Sequence, residues 1–134
     1  MRTGLLLVFV FLFSAGHASA ADALSCSFDG TRYFHRWAGK HLYEFTPDGQ
    51  EDLALWVDMI SVVLHPLATD GDALANIANS TLENYKKAGG IIVRTHSKPR
   101  TPNEPAEHFV AVIFPGPDLI EIAFARFKLV EATG

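Results

Sequence analysis

One cysteine, Cys26, stands in 134 residues. No disulfide can close within the chain, so a hydrophobic core has to carry its stability. Positive charge is not in excess either. Eleven Lys and Arg against 15 Asp and Glu leave a net charge of −4. That balance argues against a general nucleic-acid binder, which presents a basic face. The chain has no C-x-x-C, no His pair at H-x-x-x-H spacing and no G-x-S-x-G elbow. No metal, no cofactor and no standard nucleophile are therefore expected, and no catalytic residue is assigned. Long apolar runs are almost absent. The only unbroken one covers residues 5–13, about half of the ~20 residues a helix needs to span a bilayer, so the chain is not expected to be membrane-spanning.

That run is the most informative feature present. Arg2 precedes it, and Ala18-Ser19-Ala20 follows with the small-x-small pattern of a cleavage site. Residues 1–20 read as a signal peptide, and the mature protein is expected to begin at Ala21 in the periplasm or outside the cell. The leader carries one charged residue, Arg2, so the mature chain has 10 Lys and Arg against 15 Asp and Glu, a net charge of −5. In an oxidising compartment Cys26 stays a plain or buried thiol or pairs between chains. Ala23-Leu24-Ser25 is a poor lipidation box, and Cys26 lies far from the apolar run. A monomer or weak dimer is expected.

Residues 21–30 are small and polar and read as a mobile lead-in; residues 31–134 read as one domain. Residues 31–37 and 41–45 are aromatic-rich, and Gly39 lies in the short loop between them, which predicts a hairpin; a short helix over residues 31–38 is the competing reading. Thr46-Pro47 has the form of an N-cap opening a single helical turn. The β-branched run within residues 53–64 predicts a long strand covered on both faces. Thr69-Asp70-Gly71-Asp72 starts a helix with Leu74, Ile77, Ala78, Leu82 and Tyr85 on one face. Lys86, Lys87, Gly89 and Gly90 end it. Residues 91–97, 107–114 and 119–129 complete the pattern as strands, with three prolines in the loop before residue 107. Together these predict an α+β fold: an antiparallel sheet of five to six strands with one principal helix packed on one face.

If Phe114 and Leu119 close the last hairpin, Phe109 faces Phe124, Ala111 faces Ile122 and Ile113 faces Ile120. Glu107 then faces Arg126 as a structural ion pair at the edge of the core. Arg94, His96, Lys98 and Arg100 fall at alternate positions, which on an extended chain makes a cationic strip for an anion or partner; the bland alternative is a solvated edge. Asp58 within the apolar run and Glu107 and Glu121 in the last hairpin are the carboxylates with acid–base potential, and a pair around Glu107, Glu121 and a histidine gives an alternative reading as a small hydrolase.

The runs Pro105-Ala106-Glu107-His108-Phe109, Phe124-Ala125-Arg126-Phe127 and Phe45-Thr46-Pro47-Asp48-Gly49-Gln50 resemble small secreted proteins of Gram-negative bacteria, including a family of quorum-sensing-regulated virulence factors. The order of elements is similar to the PsbP/Mog1-like fold. The resemblance implies a small secreted α+β domain, accessory to host or envelope interaction, and assigns no reaction and no functional residue. The expectation is a secreted or periplasmic binding module without catalytic activity, whose partner is an unidentified protein or an anionic surface.

Overall fold

The computed structural model describes the backbone of residues 2–13 and all of residues 24–130. Seven antiparallel strands fall into two groups. The first is β2 (Ser25–Phe28), β3 (Thr31–Gly39), β4 (Leu42–Pro47) and β5 (Asp58–Val63), in that order. The second is β8 (Leu119–Val130), β7 (Glu107–Pro115) and β6 (Ile91–Lys98). Strand β1 (Arg2–Phe13) lies between the groups and pairs in parallel with both β5 and β8. The expected single antiparallel sheet of five to six strands is thus replaced by antiparallel groups of four and three.

One helix, α1 (Gly71–Lys87), lies over β6, β7 and β8. Asp70 caps it, its side chain accepting from the amide of Ala73 at 2.8 Å. Leu74 and Ala78 are buried, with Ile77, Leu82 and Tyr85 half-buried beside them, so the 3.6-residue stripe faces the sheet. Gly89 ends the helix at φ +85°. A Cβ on Gly90 would lie 2.7 Å from the Tyr85 carbonyl oxygen and from Val112 Cγ2, so the chain turns under the helix only with glycine there. The core beneath consists of Val110, Ala125 and Phe127.

Residues 31–39 form the first strand of the expected hairpin, paired through a tight turn to β4, and the competing helix over 31–38 does not form. Three local expectations change. Thr46 caps no helix. It is fully buried in β4, where its hydroxyl donates to the Gln50 carbonyl and accepts from Arg36 Nε at 2.9 Å. The strand expected over 53–64 begins only at Asp58. Asp52 Oδ1 accepts from the amide of Ala54, and Gln50 Oε1 from those of Val57 and Asp58, so side chains take backbone donors that a ladder would use. Finally, residues 25–28, within the expected lead-in, form β2 against β3, held by Arg32 donating to Ser25 Oγ at 3.1 and 3.2 Å.

The β7–β8 register also differs from expectation, by two residues. Pro115 pairs with Ile120, Ala111 with Phe124 and Phe109 with Arg126. A shift of two leaves every side chain on its expected face. Glu107, Phe109, Ala111, Ile113, Ile122, Phe124 and Arg126 share the face turned away from the helix; His108, Val110, Val112, Ala123, Ala125 and Phe127 share the covered one.

Candidate functional site

The face away from the helix holds most of the charged groups of the last three strands. Its first part is a cationic corner on β6, β7 and β8. A bulge between Ile92 and Arg94 places Arg94 opposite Ala111, His96 opposite Phe109 and Lys98 opposite Glu107. Ile92 packs toward the helix, and the one-residue offset turns Arg94, His96 and Lys98 to the open side. Arg100 lies beyond the end of β6, so it does not continue the strip. All four are exposed.

Glu107 anchors the corner. Arg126 donates from Nε to Oε2 at 3.0 Å and from Nη2 to both carboxylate oxygens at 2.9 Å. Lys128 Nζ lies 3.2 Å from Oε1. Glu107 is directly opposite Lys128 and diagonal to Arg126, and long side chains span that diagonal. Burial alone would raise the Glu107 pKa, but the bonds and charges of Arg126 and Lys128 outweigh it and hold the carboxyl below its ordinary value. Of the four cations on this part of the face, Arg126 and Lys128 pair with its single carboxylate, Glu107, and Arg94 and Lys98 pair with none among the described residues. A cleft of about 210 Å³ lies among His96, Lys98, Phe109, Arg126 and Glu107.

The second part is apolar. Tyr33, Phe45 and Ile60 form a buried cluster with Cys26, Tyr43, Val62 and Phe124 packed around it. A cavity of about 340 Å³ lies under β2, lined by Cys26, Phe28, Phe45, Ile60, Val62 and, from β8, Arg126. Arg126 thus borders both concavities. Tyr33 donates to Asp58 Oδ2 at 2.7 Å; burial first, then that bond and the Asp58 charge, raise the phenol's pKa. Asp58 Oδ1 and His35 Nε2 are buried without a partner among the described residues. Burial pushes the Cys26 thiol up, which leaves it a weak nucleophile.

The carboxylates of the hydrolase reading are not brought together. Glu121 pairs with Phe114, seven residues along β7 from Glu107 and on the helix-covered face. At ~3.4 Å per residue the two positions are roughly 24 Å apart along the strand. Burial raises the pKa of Glu121, and its charge adds to the burial that raises Tyr85. Sequence reasoning passed over Lys128 and the cavity under β2. Lys128 was legible as the next even position beyond Arg126 in an alternating strand; the cavity depends on the long-range pairing of β2 with β3. Among the described residues no group of three His, Cys, Asp or Glu side chains is placed to hold a metal ion, and no helix is long and apolar enough to cross a membrane. No protein-family model, curated protein or solved structure matches the chain.

Proposed function

We propose that the protein is a secreted or periplasmic binding module, without catalytic activity, that contacts an anionic surface through the corner formed by Arg94, His96, Lys98, Arg126 and Lys128. One observation carries this reading: on the β6–β8 part of the open face four permanent cations are gathered around one carboxylate, Glu107, which pairs with only two of them, in a chain whose net charge is negative. Arg94 and Lys98 are exposed and bind no carboxylate among the described residues, so they are available to a partner. The role is accessory to the envelope or to a host surface, and the resemblance to small secreted virulence-associated proteins accords with it. A hydrolase is disfavoured by the separation of Glu107 from Glu121.

Retention on phosphatidylglycerol vesicles tests the reading. Attraction between exposed charges is screened over about 8 Å at physiological ionic strength, so retention should be strong at low salt and fall as salt rises. Arg94→Glu with Lys98→Gln should remove it, and Arg100→Glu should weaken it less because that residue is off the strip. The double variant should keep its melting midpoint, since changes at exposed positions fall within about 0.5 kcal/mol. Absence of wild-type retention at low salt would refute the proposal.

A further inference from the structure

The position of β1 has a consequence for the processed protein. Its twelve residues align with β8 from Arg2 opposite Leu119 to Phe13 opposite Val130, and residues 5–9 align with Asp58–Val62 of β5. It is the single strand joining the two antiparallel groups. Its sequence coincides with the apolar part of the expected leader. Cleavage after Ala20 therefore removes a central strand, and it leaves two rows of unpaired backbone amides and carbonyls, one on β5 and one on β8.

Neighbouring strands lie ~4.8 Å apart, so these rows face each other across roughly 10 Å. On the helix side the gap is crossed by side-chain packing. Val63 at the end of β5 and Ala68 just after it pack on the same cluster as Leu74 of the helix and Ala125 and Phe127 of β8. These contacts, with Phe124 of β8 packed on the cluster of Phe45 and Ile60, tie the two edges together across the gap. On the opposite side the cavity under β2 is lined by Ile60 and Val62 of β5 and by Arg126 of β8, which places open apolar space along the same gap.

We propose that the processed protein keeps a strand-wide slot between β5 and β8, and that the slot receives an extended, uncharged, apolar segment of a partner protein running parallel to both edges. The occupant is identified by what the slot leaves unmet. Two facing rows of backbone donors and acceptors need a peptide backbone to satisfy them, and an acyl chain has none to offer. A strand buried between two others reads as a continuous apolar run, as the chain's own residues 5–13 do. This proposal rests on leader removal and is independent of the cationic corner.

The test uses the full-length chain, exported by the cell and recovered with its N-terminus fixed by intact mass. The probe is a synthetic peptide with the sequence of residues 2–13 carrying a neutral solubilising tail. Binding should slow amide exchange in both Asp58–Val63 and Leu119–Val130 by at least about tenfold. A peptide carrying Leu7→Pro lacks an amide in mid-strand and should bind at least about tenfold more weakly. Arg94→Glu with Lys98→Gln should bind the peptide as wild type does, which separates this slot from the vesicle-binding corner. Recovery of protein that retains residues 2–13 would overturn the proposal. So would amides on both edges that are fully protected before peptide is added, because β5 and β8 would then have closed on each other.

Discussion

The two faces of this sheet are built from different chemistry. Under the helix, Leu74, Val112, Ala123, Ala125 and Phe127 are completely buried, and every one is hydrocarbon. On the other face the cluster is aromatic and mixed with polar groups: Tyr33 bound to Asp58, His35 beside the rings of Tyr43 and Phe45, and two of the three buried polar atoms without partners among the described residues, the third being His108 Nε2 on the covered face. The first face is closed by an element whose stripe matches it. The second is closed only in part, by the short strand β2, with a cavity left beneath. Unmet polar atoms and residual space are costly in a core and useful in a binding surface. The hydrocarbon packing thus lies on the helix side, and the cavity and the cationic corner lie on the side away from it.

The largest expected effect breaks the covered side. Leu74→Ala removes a fully buried side chain from the helix–sheet contact and should cost roughly 2–5 kcal/mol in a denaturant melt. A loss below that range would mean that the helix is not what holds this face together. Tyr33→Phe should cost less, about 1–3 kcal/mol, because it leaves a half-buried Asp58 oxygen without its donor while preserving the ring. Equal melting points for Tyr33→Phe and wild type would show that the open face tolerates the missing bond.

The smallest effect is read by pH. The folded pKa of Glu107 lies below its ordinary 4.5, so the pair with Arg126 and Lys128 stabilises the fold above that value. The contribution disappears as pH falls through the lower folded value. Glu121 has the opposite sign: its pKa is raised, so the charged form costs stability above the folded pKa, and the cost vanishes below 4.5. In Glu107→Gln, the acid loss of stability should be shallower than in wild type; in Glu121→Gln, neutral-pH stability should rise slightly. Parallel pH–melting curves for Glu107→Gln and wild type would remove Glu107 from the account.

Much of the covered side was legible in the sequence, and little of the open side. The helix was readable because Leu74, Ile77, Ala78 and Leu82 repeat at one period between an acidic cap and two glycines. The faces of the last hairpin were readable because alternation survives a shift of two, although the register itself was set by Pro115 joining the ladder opposite Ile120. On the open side, β2 is made of Ser25, Cys26, Ser27 and Phe28, whose composition carries no strand signal; its place comes from pairing with β3. The short β5 reflects competition from Gln50 and Asp52 side chains, which periodicity does not record. The apolar run of residues 5–13 suits a leader and a central parallel strand equally well, because both need continuous hydrocarbon.

The bulge at Ile92 and Arg94 makes the charge pattern of this sheet sensitive to an indel. Ile92 and Arg94 have the same parity in the sequence yet lie on opposite sides, because two residues oppose one at that point. A lineage that gained or lost one residue between Arg94 and Lys98 would turn the positions beyond it to the other side in a single step, with no change of side-chain chemistry. A lysine would then meet the hydrocarbon core. Length variation should therefore be tolerated in the proline-bearing loop that follows and purged from this half of β6, whatever residues stand there.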